Sequence, residues 1–400
     1  MRAIFVAVLI LLTIIISPSH ANAIDATSEA LKNSPENIAI AFVSAASRNM
    51  YLYENNDLNR YSIDCSNYPL LGNELEKMTA DTNVAPIDAC KKMSLVNDKV
   101  EYYRYVRSSQ NFIVKDFKQT YTIENVKKSG NCAVVSMSEL LNWQYADYDL
   151  PSGALISYEV TLAKHGGTWR VIGVVAADEL FDQQYIVGDK KFDLDAEKAS
   201  FDKAIAIDMA ALTDTKETAN LEKPTYAKRN GYDISKAVQY ARDWALSKNA
   251  PPFQYHDGKD CMNFASQCVY AGLGGATNAC DTSFMDKDGK NKWYWNDWGA
   301  WISCSKFRNY ITSSDAKLNT LHCESTGDIP FWYSGELTGS VAHVYGDAGE
   351  LSHAIFITDS RSPARKDMYF CAHTSNRKNE KVSAYYSTGS IYVITPLSLS

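Results

Sequence analysis

Between Thr213 and Thr225 the chain turns polar, through Thr215-Lys216-Glu217-Thr218 and Glu222-Lys223-Pro224. A stretch of this kind, closed by proline, has nothing to contribute to a packed core. It therefore divides the 400 residues into two cores, as the length alone favours at one domain per roughly 150 residues. The halves differ in content: six of the eight tryptophans and six of the nine cysteines follow the break. With 46% hydrophobic and 22% charged residues the chain is globular, not disordered or fibrous. A net charge of −7 without a basic block argues against nucleic acid as a partner. The expected organisation is a leader over 1–23, an N-terminal domain over 27–213, a linker over 214–225 and a second domain over 226–396.

The leader has a short positive start at Arg2, an apolar run Ala3–Ile16 interrupted by Thr13, and Pro18. Ala21-Asn22-Ala23 fits the small-x-small rule of a signal peptide cleaved before Ile24. The run is shorter than the roughly 20 residues of a membrane span, which favours cleavage over an anchor. The expectation is a secreted protein, extracellular or at the cell surface, with no stable membrane span after cleavage. Disulfides are chemically permitted there.

The N-terminal half opens on Ser34-Pro35, a cap with proline at the first helical position, followed by the apolar Ile38–Met50. Strands are expected at Thr120–Ile123, Cys132–Met137, Leu155–Lys164 and Thr168–Ala176. Gly166-Gly167 between the last two is a hairpin signal. A helix followed by a meander resembles the cystatin-like α+β roll in architecture, and no motif in this half assigns it a role.

The second half begins with an amphipathic helix capped by Asp233, with Ile234, Ala237, Val238, Ala241, Trp244 and Ala245 on one face. The chemistry concentrates in Asp260-Cys261-Met262-Asn263-Phe264-Ala265-Ser266-Gln267-Cys268. Phe264, Ala265, Cys268 and Val269 make the apolar stripe of a helix from about Cys261 to Ala271, so Cys261 falls on its first turn. A helix N-terminus offers free N–H groups and the positive end of the dipole, which favour a thiolate and can hold an oxyanion. That is what a cysteine nucleophile needs once a histidine joins it. Cys268 cannot bridge to it, because seven helical residues separate the Cα atoms by about 10 Å against a limit near 7 Å. Cys261 as one half of a disulfide to a distant cysteine is the competing reading.

Six histidines lie beyond the leader: His165, His256, His322, His343, His353 and His373. His353 starts the apolar strand His353–Thr358, and a second strand runs Met368–His373. A hairpin centred on Pro363 sets His353 and His373 opposite each other, one as base and the other as orienter of its ring. His343, in a polar, glycine-rich stretch, and His256, five residues before Cys261, have weaker claims as the base, and His322 beside Cys323 is only a weak suggestion of a metal ligand. No C-x-x-C or H-E-x-x-H spacing suggests a metal site, and no cofactor is expected.

The Asp260–Cys268 segment, preceded by Tyr240-Ala241 and Trp244, resembles the bacterial family called the putative amidase domain. The likeness extends through Gly272–Gly275, Trp293, Trp301, Phe307, Tyr310, Gly327-Asp328, Ser352-His353 and Ala372-His373-Thr374, over about Tyr226–Pro396. The resemblance implies a papain-like α+β fold in the superfamily of cysteine amidohydrolases and peptidases. It implies Cys261 as nucleophile, His353 as base and His373 as orienter. Asn263, Ser266 and Gln267 then pack the helix behind the site, and Gly258–Asp260 shape the oxyanion region. Lys259 and Met262 depart from the family pattern, and Ser334–Leu351 is long. The expected substrate is a peptide or the peptide of peptidoglycan, and the sequence does not set the oligomeric state. Trp293, Tyr294, Trp295, Trp298 and Trp301 line a groove or pack a core. The main alternative is a non-catalytic, cell-wall-binding module on a degenerate papain-like domain.

Cysteine parity adds one constraint. With Cys261 free, Cys65, Cys90 and Cys132 remain in the first domain and five in the second. Both counts are odd, so full pairing demands a bridge between domains.

Overall fold

The computed structural model describes residues 13–16, 33–63, 86–176, 192–217, 231–248, 253–256, 258–275, 299–312, 321–330, 337–345, 351–360, 368–385 and 390–399. The chain forms two compact units, one of residues 1–104, 114–143 and 155–192, the other of 105–113, 144–154 and 193–400. Both helices and antiparallel strands are well represented, an α+β class as the sequence predicts.

In the first unit, α1 (Pro35–Leu52) begins as expected: Ser34 Oγ accepts the Asn37 N–H at 3.2 Å and proline occupies the first turn. The helix lies against β2 (Val114–Ser129) and β5 (Thr168–Ala176). Strands β3 (Cys132–Tyr145) and β4 (Ser152–His165) complete the meander. β4 and β5 are joined by Gly166-Gly167, with His165 paired to Thr168. Both glycines have positive φ, +55° and +85°, which a two-residue hairpin turn of this hand requires. β1 (Thr13–Ile16), inside the apolar leader, pairs antiparallel with β2 through Thr13↔Thr122 to Ile16↔Gln119. Helix α2 spans Pro86–Ser109.

One carboxyl is enclosed in this unit. Glu139 is fully buried and accepts from Ser47 Oγ (2.8 Å), Gln119 Nε2 (3.0 Å), Tyr121 OH (2.9 Å) and Tyr158 OH (3.1 Å). Four donors satisfy the anion, yet burial outweighs them and raises the carboxyl from 4.5 to about 7. The folded value exceeds the unfolded one, so folding takes up a proton. This contribution to stability, about 3 kcal/mol, is full below pH 4.5 and is lost as the pH rises through about 7. Calorimetry at pH 5 and pH 8 is expected to show a steeper loss for the wild type than for Glu139→Gln. Parallel pH dependence in the two proteins contradicts it.

The second unit contains α3 (Leu194–Glu217), α4 (Ile234–Trp244), α5 (Cys261–Gly272) and α6 (Cys304–Thr312). α3 runs to Glu217, so the stretch expected as linker from 214 begins inside a helix, and 218–225 lie outside the described residues. Asp233 caps α4 as expected, accepting the Lys236 N–H at 3.2 Å. The sheet runs β10 (Asn376–Lys381), β9 (Met368–Ala372), β8 (Leu351–Ser360), β7 (Val341–Tyr345), β11 (Ser390–Leu399) and β6 (Leu321–Pro330), with antiparallel neighbours. Strand alternation sends Val341, Ala354, Phe356, Cys371 and Ile394 to the face covered by α4, α5 and α6. Ala342, Val344, Ile355, Ile357 and Val393 go to the other face, under Leu337 and Val382.

Both ends of α5 are fixed. At its C-terminus, Gly274 takes φ +87° and Gly275 N–H reaches the Tyr270 carbonyl at 3.0 Å, a left-handed cap. A Cβ on Gly272 would stand 2.4 Å from the Tyr232 ring, and the hydroxyl of that ring is held by the Gly339 carbonyl at 2.8 Å. Gly272→Ala is expected to cost roughly 1–3 kcal/mol through this overpacking. Denaturant unfolding at the wild-type midpoint would refute it.

Buried charges occupy another part of this unit. Arg107 pairs with Glu380 at 3.5 Å, and the Tyr145 hydroxyl bonds the same carboxylate. Lys381 Nζ meets Asp147 at 2.7 Å and is ringed by Phe112, Tyr145 and Tyr369 at 4.9, 5.1 and 5.0 Å from the ring centroids. Among the described residues no helix is long and apolar enough to cross a membrane.

Candidate active site

Cys261 is the first residue of α5, partly exposed above a buried cluster of Phe264, Ala265, Cys268 and Val269. The first intrahelical bond is from Phe264 N–H to the Asp260 carbonyl at 2.9 Å. The N–H groups of Cys261, Met262 and Asn263 thus precede the helical ladder. The Cys261 thiol is held well below its usual range. A hydrogen bond from Cys304 is the largest lowering cause; the charge and hydrogen bond of His353 and the Ala354 N–H follow. Together they outweigh burial, which acts in the opposite direction. Alkylation of Cys261 by iodoacetamide is therefore expected to reach its plateau well below pH 9. A profile centred at 9 would contradict the thiolate.

His353 lies near the start of β8, opposite Val344 of β7, and is almost fully buried. The structure brings Cys261 and His353 together. It does not set His373 opposite His353. The observed register passes through Phe356↔Cys371 and Ile357↔Phe370, then shifts at a bulge before Asp359↔Tyr369. Symmetry about Pro363 would have paired Phe356 with Phe370, so the true register is offset by one residue. β9 ends at Ala372, and His373 lies in the turn that follows.

His373 has different partners there. Its Nδ1 is 2.6 Å from Asp260 Oδ2 and its Nε2 is 2.9 Å from the Trp244 carbonyl, with both side chains of the pair fully buried. Phe264 stacks on the ring at 4.0 Å between centroids. A carbonyl only accepts, so Nε2 donates to Trp244, and Nδ1 faces the Asp260 carboxyl. The expectation that His373 orients His353 is therefore corrected: its two nitrogens serve Asp260 and Trp244.

Asp260 occupies the N-cap of α5 without capping it by its side chain. Its Oδ1 accepts the His256 backbone N–H at 2.9 Å and Asn263 Nδ2 at 2.7 Å, while its own N–H donates to Thr374 Oγ1 at 3.0 Å. Asn263 Nδ2 also donates to the Gln254 carbonyl, and Asn263 Oδ1 accepts Trp301 Nε1 at 2.7 Å. Ser266 Oγ donates to the Trp301 carbonyl at 2.8 Å, and Gln267 Oε1 accepts the Tyr240 hydroxyl at 2.6 Å. All four side chains are buried and bind the helix to its surroundings.

His343, in the stretch read as polar and glycine-rich, is in β7 and buried. Burial is the main cause holding it down to about 3, and its Nε2 lies 3.3 Å from Met262 Sδ. A histidine this low stays neutral at ordinary pH. His322 falls in β6. Trp293, Tyr294, Trp295 and Trp298 lie outside the described residues, whereas Trp301 is core. Sequence reasoning missed Cys304; the available signal was Ser303-Cys304 opening a second helix, with a cysteine again in first position. The described free cysteines are Cys132, Cys261, Cys268, Cys304, Cys323 and Cys371. Among the described residues no group of three metal-ligating side chains is present.

Residues 231–394 match the family described as the putative amidase domain. The match runs from α4 into the first half of β11 and includes Cys261, Cys304, His353 and His373, and it supports amide hydrolysis as the reaction type. The chain is also 26% identical over 196 residues to the uncharacterized protein YjcM of Bacillus subtilis (strain 168), across 46% of this chain. The aligned part spans 39% of that relative's length. No solved structure matches.

Proposed function

We propose that the domain is a cysteine-dependent amide hydrolase of the papain-like kind, with Cys261 as nucleophile and His353 as acid and base. What supports this reading is the position of Cys261 at a helix start beside His353, with its thiol held well below the usual range by Cys304 and His353. Cys261 Sγ attacks the carbonyl carbon, and the oxyanion that forms accepts from the N–H groups at the start of α5. The His353 imidazolium gives its proton to the departing amine, leaving a thioester on Cys261. Neutral His353 then removes a proton from water as it attacks the thioester. The acid leaves and the thiolate–imidazolium pair returns. Asp260, locked by His373, holds the first turn in place throughout.

Export by residues 1–23 would bring this chemistry to peptidoglycan peptides or other extracellular peptides. N-terminal sequencing of protein recovered outside the cytoplasm is expected to begin at Ile24. Incubation of the full chain with stem and cross-bridge fragments is expected to release one new amine and one new carboxylate per bond cut. Fragments that stay intact while Cys261 remains alkylatable remove this substrate class.

A further inference from the structure

Two thiols, not one, meet at the nucleophile. Cys261 opens α5 and Cys304 opens α6, Cys261 packs against the apolar cluster that contains Cys304, and each thiol is the other's foremost partner. Each sulfur therefore sits at the positive end of a helix. Cys261 is partly exposed, whereas Cys304 is buried within the same apolar cluster. An external reagent thus reaches Cys261 first and finds Cys304 behind it. The mechanism above uses Cys261 as its nucleophile and assigns no bond-making step to Cys304.

We propose that Cys261 and Cys304 are a closable dithiol: a small disulfide oxidant links them to each other, which masks the nucleophile, and a thiol reductant reopens it. The inference rests on Cys261 being the reactive thiolate of the proposed hydrolase. In the first step the Cys261 thiolate attacks one sulfur of the oxidant RSSR, forming Cys261–S–S–R and expelling RS⁻. In the second, Cys304 gives its proton to the expelled thiolate and attacks Cys261 Sγ, releasing the second RS⁻, which takes the proton Cys261 had given up. The balance is two protein thiols plus RSSR to one protein disulfide plus two RSH, with two electrons passed to the oxidant. Contact with the Cys261 thiolate is the main cause holding the Cys304 proton on, and the first step removes that charge. The order of events is therefore built into the pair.

The experiment uses the full chain, reduced, desalted and exposed to oxidised glutathione. The expected result is two equivalents of glutathione released, a Cys261–Cys304 linked peptide in a non-reduced digest, and loss of iodoacetamide labelling at Cys261 that dithiothreitol restores. Cys304→Ser and Cys304→Ala are each expected to stop at one equivalent, with glutathione retained on Cys261. A wild type that keeps both thiols, or that stops at the mixed disulfide with Cys304 still alkylatable after denaturation, overturns the proposal. The wild-type digest decides even if neither variant folds. No amide substrate enters these readouts, so closure without hydrolysis removes only the hydrolase reading, and hydrolysis without closure removes only this one.

Discussion

Cys261→Ala and His353→Ala are each expected to reduce amide hydrolysis on the order of 10⁴-fold or more, and the double variant is expected to be no worse than the singles. Nucleophile and base act as one unit, so removing either removes the whole covalent route. Cys261 stands at a partly open helix start, so its loss costs little packing, and its variant should melt close to wild type. The measurement is the rate of amine release from peptide fragments beside a melting curve for each protein. Hydrolysis at the wild-type rate in either variant ends the assignment.

His373→Ala is expected to fail differently. It strips a fully buried carboxyl of its hydrogen-bond partner at 2.6 Å and frees the Trp244 carbonyl. Breaking a buried pair from one side costs roughly 3–5 kcal/mol, because the remaining charge is left in a poor solvent. That corresponds to a fall in melting temperature on the order of 10 °C for a domain of this size. Asp260→Asn combined with His373→Ala should be milder than the sum of the single losses, since no lone carboxylate remains. If His373→Ala instead melts with the wild type and loses only turnover, the histidine orients His353 after all, and the clamp on Asp260 is not its task.

The sequence carried those features whose cause is local. The period of Phe264, Ala265, Cys268 and Val269 placed α5 and put Cys261 on its first turn. Ser34, Asp233 and Gly166-Gly167 marked two helix starts and a hairpin by short-range chemistry that the structure repeats. The β8–β9 register was out of reach, because the length of the connection does not fix it and the bulge between Ile357 and Asp359 leaves no trace in alternation. Asp260 illustrates a different obstacle. By position it is a helix cap, yet its carboxylate turns away to His373, a partner 113 residues distant. Cys304 was hidden for the same reason: nothing within either helix indicates that their first residues meet. The stretch expected as linker starts inside α3, because composition does not distinguish a polar helical turn from a loop.

The ring of aromatic side chains around Lys381 has a practical corollary. With its side chain 1% exposed and its amine enclosed by three rings and Asp147, Lys381 should resist amine-directed reagents in the native protein. Exposed lysines such as Lys128 and Lys236 should be modified quickly. The moment at which a reagent first marks Lys381 therefore reports the opening of this core. It gives a chemical clock for unfolding, read peptide by peptide, that needs no substrate and no knowledge of the reaction.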